Sequence, residues 1–215
     1  MPETRPAHSF GSIKVRLPYA SSGQRIGLLG GSFNPPHEGH RHISEVALSV
    51  LGLDRVWWLV SPGNPIKSHD ELEDLSHRLK AAEDIARHPR ISVTGFEAAM
   101  PTNYTAQTLQ FLRRRYPTVK FVWLMGADNL LSFHRWQQWQ QIFKQVPIAV
   151  MDRPGYRMEA LVSPAAHRYR RYQIPEQAAR QLLQKPLPAW TFITHPLISQ
   201  SSTALREANK AHGSK

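Results

Sequence analysis

Residues 30–40 read Gly30-Gly31-Ser32-Phe33-Asn34-Pro35-Pro36-His37-Glu38-Gly39-His40. Three glycines, a hydroxyl and two histidines in so short a stretch can handle phosphate. Gly30 and Gly31 carry no Cβ, so the backbone can turn sharply and let a ligand come close. Ser32 and Phe33 keep N–H groups that can point at an anion, while Pro35 and Pro36 donate nothing and stiffen the chain. His37 and His40 are three apart, so both share one face of a helix that starts here. Gly39 leaves room against that turn for a base or a ribose. The free N–H groups and aligned dipole of a helix start attract anions. A nearby phosphate favours the imidazolium, so either histidine can donate to oxygen at neutral pH.

Other phosphate and metal motifs do not fit. No G-x-x-x-x-G-K-[ST] or G-x-G-x-x-G occurs, and His37-Glu38-Gly39-His40 lacks the H-E-x-x-H spacing of a zinc helix. There is no cysteine to complete a zinc site, so no protein-held metal is expected.

The elements around the motif must hold it in place. A buried strand over Ile26–Gly30 feeds the turn. A helix follows over about Gly39–Leu51, with Ile43, Val46, Ala47, Val50 and Leu51 on one face and Gly52 at its end. The continuous apolar run Arg55–Val60 fits a parallel strand covered on both faces. Further along, helices are predicted over Leu75–His88 (capped by Asp74 or Ser76), Thr105–Tyr116 and Trp136–Phe143. Strands are predicted from Ile91 to Val93, from Lys120 to Met125 and from Ile148 to Met151. Residues 157–190 form a polar, basic, variable segment, helical from Pro175 to Leu183. A last strand at Thr191–Thr194 and a helix at Thr203–Ala211 close the chain. Strands alternating with helices imply an α/β, Rossmann-like parallel sheet flanked by helices on both faces, with a small C-terminal helical part. Ligands of such sheets bind beyond the carboxyl ends of the strands. Residues 1–24, rich in Pro, Ser, Gly and charge, read as a flexible extension, and 25–215 as a single domain.

Composition bounds the function classes. A chain of 215 residues can bury one ordinary core. It has no apolar run long enough to span a bilayer and no secretory leader pattern, so no membrane role is expected. The absence of cysteine excludes disulfides and thiol catalysis and fits a cytoplasmic protein. The formal charge of +11 suits a handler of polyanionic nucleotides. Clusters at Arg113-Arg114-Arg115 and at Arg168, Arg170 and Arg171, the latter interleaved with Tyr169 and Tyr172, raise a nucleic-acid reading. No nucleic-acid motif accompanies them, so no nucleic-acid partner is expected.

Five further segments fall after strands or at helix starts. Lys67, in Asn64-Pro65-Ile66-Lys67, is a mobile charge suited to phosphate or simply a solvated lysine. Thr105 can cap the helix that Tyr104-Thr105-Ala106-Gln107-Thr108-Leu109 opens, and its free N–H groups suit an anion. Asp128, in Gly126-Ala127-Asp128, can accept from ribose hydroxyls or cap the next helix. Trp136 and Trp139 suggest one buried face, and one of them can stack on an electron-poor ring. Ser202, Thr203 and Arg206 make a second phosphate cradle or an ordinary helix start.

The ordered string G-G-S-F-N-P-x-H-x-G-H resembles the signature of the nucleotidyltransferase superfamily that carries an H-x-G-H motif. Tyr104-Thr105 and Thr108-Leu109 match the Tyr-Thr-x-x-Thr-Leu stretch of its nicotinate-nucleotide adenylyltransferase branch, bacterial type. Residues 201–206 resemble the superfamily's Ile-Ser-x-Thr-x-x-Arg element, with register open by two residues. The resemblance covers about residues 25–155 and 191–208. It implies adenylyl transfer from ATP to nicotinate mononucleotide, giving nicotinate adenine dinucleotide and pyrophosphate, with Mg²⁺ accompanying ATP. It implies that His37, His40 and Arg206 are catalytic. Gly30, Gly31, Ser32, Phe33, Gly39, Gly126, Asp128, Ser202 and Thr203 would join them around ATP. Asn34, Lys67, Tyr104, Thr105, Trp136 and Gln137 would hold the pyridine nucleotide, Trp136 by stacking. The alternatives are phosphopantetheine or cytidylyl transfer, or a non-catalytic nucleotide- or RNA-binding protein. Acid-versus-amide preference and a homo-oligomeric state stay open.

Overall fold

The computed structural model describes residues 16–63, 73–101 and 104–196. Its centre is a six-stranded parallel sheet: β1 (Arg25–Gly31), β2 (Arg55–Val60), β3 (Ile91–Thr94), β4 (Lys120–Gly126), β5 (Ile148–Met151) and β6 (Trp190–Ile193). The strand order is β3-β2-β1-β4-β5-β6, so direction of build reverses between β1 and β4. That reversal opens a crevice beyond the end of β1, where ligands of such sheets sit.

The apolar runs are continuous because both sheet faces are covered. Successive residues point to opposite faces. Leu28, Trp57, Trp123 and Val150 enter one core, and Leu29, Trp58, Leu124 and Ala149 the other. Helices α1 (Glu38–Val50) and α2 (Leu75–Ala86) cover the second face, through Ala47, Leu48, Leu79 and Ala82. The first face carries α3 (Thr105–Arg115), α4 (Ala127–Ser132), α5 (Trp139–Gln145), α6 (Arg157–Leu161) and α7 (Pro164–Arg168). Arg113, Arg114 and Arg115 are exposed in the last turn of α3, where cations complement the helix dipole. Among the described residues no helix is long and apolar enough to cross a membrane.

Three segments depart from expectation. The helix expected at Trp136–Phe143 begins only at Trp139, behind a short 3-10 turn over Phe133–Arg135. Trp136 is extended and Gln138 is left-handed at φ 54°, so no helix can run through them. The three-residue tryptophan spacing mimics a helix, but each ring has its own aromatic seat. Residues 157–190 are part of the body: Ala160, Ala165, Ala166 and Tyr169 are core residues. Tyr169 stacks on Phe143 at 3.8 Å, so it is not a base-stacking platform between the arginines. The expected helix at Pro175–Leu183 is a 3-10 stretch over Glu176–Gln184. Its buried Ala179 and Leu182 are three apart, the spacing that aligns on one face of a 3-10 helix.

Part of the expected N-terminal extension lies against the body. Leu17 and Ala20 pack on the core, Thr94 Oγ1 donates to the Arg16 carbonyl at 2.7 Å, and the Tyr116 hydroxyl donates to the Pro18 carbonyl at 3.0 Å. Residues 1–15 and the expected helix at 203–211 lie outside the described residues.

Candidate active site

The ends of β1, β4 and β5 bring three segments together. Each is local in sequence, and their meeting follows from the strand order. The first is the turn after β1. A Cβ on Gly30 would stand 2.4 Å from the Trp123 indole, whereas one on Gly31 would meet only ordinary contacts. Gly30 is therefore a packing glycine, dictated by the ring from β4, rather than one that clears space for a ligand. Phe33 adopts φ 47°, a costly conformation for a bulky residue. Its buried ring stacks on Trp58 at 5.1 Å and 19°, which holds that backbone in place.

His37 is the residue preceding α1, and its backbone N–H donates to His40 Nδ1 at 3.2 Å. The two rings lie 3.8 Å apart. Because His40 Nδ1 accepts, the proton of neutral His40 belongs on Nε2, leaving that nitrogen as a donor. Both ring nitrogens of His37 are buried without a hydrogen-bond partner among the described residues. Buried nitrogens left unmatched are costly, and a ligand oxygen would satisfy them.

The surroundings of both rings disfavour the charged form. Burial, and then the positive charge of Arg153, lower His37 to about 4. Burial, then His37, then Arg153 hold His40 well below the ordinary imidazole range. Without ligand both rings are neutral at pH 7. They donate as imidazoles, and only an arriving polyanion can favour charging them.

The second segment is Gly126-Ala127-Asp128. Gly126 precedes α4, and Asp128 lies inside its first turn rather than at the cap. One carboxylate oxygen of Asp128 accepts from Arg153 Nη1 at 2.5 Å, with both side chains mostly buried. The other, Oδ1, is buried with no partner among the described residues, an acceptor in want of a hydroxyl.

The third segment, Asp152-Arg153 after β5, was missed in the sequence reading. The strand-end rule that singled out the others applies equally here. Asp152 is buried and held by the Arg157 guanidinium, and it accepts the Arg153 N–H at 2.8 Å. Arg153 is thus the permanent cation beside the histidines.

A second neighbourhood surrounds the start of α3. Tyr104, not Thr105, is the residue preceding this helix. Thr105 is its first helical residue, where a hydroxyl is not placed to cap. Thr108 Oγ1 donates to the buried Glu97 carboxylate at 2.7 Å. Burial lifts the Glu97 carboxyl to about 7, opposed by the Thr108 bond. A carboxyl raised on folding stabilises the native state fully below its unfolded value near 4.5, and that contribution is lost as pH rises through 7. Glu97→Gln keeps an acceptor for Thr108. It should match wild type near pH 4.5 and be more stable by up to about 3 kcal/mol at pH 8. Urea unfolding at both pH values measures this, and a pH-independent difference would refute it.

Trp136 is half-buried, edge-on to Phe133 at 5.1 Å and to Trp123 at 6.4 Å. Since Trp123 also covers Gly30, the indole pair links the Trp136 region to the phosphate turn. Trp139 is partly buried and packs on the core through Phe133, Phe143 and Tyr169. Gln137 is exposed, Gly39 half-buried and Asn34 buried in the turn. The structure therefore gathers Ser32, Phe33, His37, His40, Gly126 and Asp128. Lys67, Ser202, Thr203 and Arg206 lie outside the described residues. No group of three or more His, Asp or Glu side chains able to hold a metal occurs among the described residues.

Comparison with known proteins identifies the family. Residues 28–208 match the family model described as Cytidylyltransferase-like. A curated relative from Ruegeria pomeroyi, named "Probable nicotinate-nucleotide adenylyltransferase", is 53% identical over 196 residues, covering 91% of this chain and 92% of its own. One of the same name from Bradyrhizobium sp. strain BTAi1 is 54% identical over 182 residues, covering 85% and 95%. A solved structure, Plasmodium falciparum nicotinic acid mononucleotide adenylyltransferase complexed with NaAD, shares the fold at TM-score 0.64 and 18% identity, covering 86% of this chain and 83% of that one. The chain belongs to the cytidylyltransferase-like family and, within it, to the nicotinate-nucleotide adenylyltransferases.

Proposed function

We propose that this chain transfers the adenylyl group of ATP to nicotinate mononucleotide, giving nicotinate adenine dinucleotide and pyrophosphate. The observation that carries the reading is the His37–His40 pair, with its unmatched nitrogens, beside the Asp128–Arg153 pair in a chain over half identical to relatives of that name. An oxygen of the mononucleotide 5′-phosphate attacks the α-phosphorus of ATP in line. The new P–O bond forms as the bond to the bridging oxygen breaks, and pyrophosphate takes that electron pair. No enzyme nucleophile is needed, so positioning and charge stabilisation do the catalysis.

His37 and His40 donate to the phosphoryl oxygens as charge builds there. Asp128 accepts from ribose hydroxyls, and Ser32, Phe33, Gly126 and the first turn of α1 line the ATP side. Ser202, Thr203 and Arg206 hold the leaving pyrophosphate, and Lys67 the acceptor's phosphate. Tyr104, Thr105, Trp136 and Gln137 form the pyridine side, with the carboxylate received at the start of α3. Mg²⁺ would accompany ATP as part of the substrate and would neutralise charge on its phosphates.

Pyrophosphate release from MgATP is the direct test, with nicotinate mononucleotide, its amide analogue or phosphopantetheine as acceptor. Release is expected to be fastest with the acid. No release with either pyridine nucleotide would sink the reading, and release with phosphopantetheine alone would replace it.

A further inference from the structure

Arg78, on α2, is 1% exposed and hydrogen-bonds to no carboxylate among the described residues, although Asp74 and Glu73 lie near enough to favour its charge. Its guanidinium is spent on main-chain carbonyls. Nε donates to Glu73 at 2.8 Å, Nη1 to Ser32 and to Ser61 at 2.7 Å each, and Nη2 reaches Pro62 at 3.4 Å. A buried charge is expensive unless its donors are matched, and four of the five guanidinium N–H groups have a carbonyl here. The acceptors belong to three separate segments: the phosphate turn, the exit of β2 and the entry to α2. The Ser61 N–H also donates to the Gly31 carbonyl at 2.9 Å, so Arg78 closes the β1–β2 ladder at the point where β1 becomes the turn.

The Ser32 contact has a directional consequence. The Ser32–Phe33 peptide is trans, so its N–H points opposite its C=O. With the Ser32 oxygen drawn onto Arg78, the Phe33 N–H is turned away from the guanidinium. The same peptide leads into the left-handed Phe33, a conformation that needs support from outside. Phe33–Trp58 stacking supplies one side of that support, and the Arg78 bond supplies the other.

We propose that Arg78 is a positioning residue for nucleotide binding: it orients the Ser32–Phe33 peptide so that its N–H serves as a phosphate donor. This rests on the adenylyltransferase reading, so binding and turnover are to be measured separately. Wild type, Arg78→Lys and Arg78→Met are compared for MgATP affinity by calorimetry, for kcat and KM of each substrate, and for thermal unfolding. Lysine can keep some of the carbonyl bonds, so Arg78→Lys should fold, weaken MgATP about tenfold and change the KM of nicotinate mononucleotide little. Arg78→Met should lose more on the ATP side. A folded Arg78→Lys with wild-type MgATP affinity and kinetics overturns the proposal, whether or not Arg78→Met folds. Equal losses toward both substrates also overturn it, because they indicate general loosening. Wild type that binds MgATP but releases no pyrophosphate with a pyridine nucleotide defeats the functional reading instead, leaving the Arg78 comparison to be read from affinity alone.

Discussion

His40→Ala should lower kcat by about 10²–10³-fold, the usual cost of removing one preorganised donor from a charge-developing site. Its Nδ1 is already occupied by the His37 N–H, so Nε2 is the atom lost to the reaction. The KM for ATP should move much less, because a neutral imidazole gains most where phosphoryl charge builds. Steady-state kinetics of pyrophosphate release measure both quantities. A variant with near-wild-type kcat would remove His40 from the mechanism. The neutral state has its own signature. In the free protein, NMR titration of the His37 and His40 ring protons from pH 8 to 5.5 should show no transition, since burial and Arg153 hold both below that range. A midpoint near 6.5 would contradict it.

Asp128→Ala should cut kcat/KM for ATP by about 10²-fold, the scale set by losing a hydrogen bond to a charged acceptor. Two things go at once: the unmatched Oδ1 that we assign to ribose, and the anion that anchors Arg153. Arg153→Gln separates them. It leaves the carboxylate in place but withdraws the cation that opposes imidazolium formation, so His37 should titrate above its present value of about 4. If Arg153→Gln leaves the His37 titration unmoved, the arginine is not the electrostatic neighbour described here. If Asp128→Ala retains ATP kinetics, the ribose assignment falls.

The parts of the molecule legible from sequence are those whose determinants are local. The strands β2 and β5 occupy the expected residues because a strand buried on both faces is a bounded apolar run. The His37–His40 pair was legible because three-residue spacing and a helix start are both local. What escaped depends on distant chain. Arg78 looks like any polar residue of an amphipathic helix until Ser32 and Ser61 arrive from two other strand ends. The histidines' charge state depends on burial and on an arginine over a hundred residues away. Trp136 and Trp139 imitated one helix because nothing local revealed that Gln138 would be left-handed.

Beneath the histidines, Trp58 Nε1 donates to Ser44 Oγ at 2.8 Å, and that hydroxyl donates to the His40 carbonyl at 2.8 Å. Trp58 belongs to the central sheet and is fully buried. The reactive end of α1 is therefore bolted to the most protected part of the protein, where opening free energies approach that of global unfolding. The histidines cannot fray loose cheaply. Any adjustment that admits two bulky nucleotides and lets a longer one leave has to be borne by other walls of the crevice, while this wall keeps time like a fixed anvil.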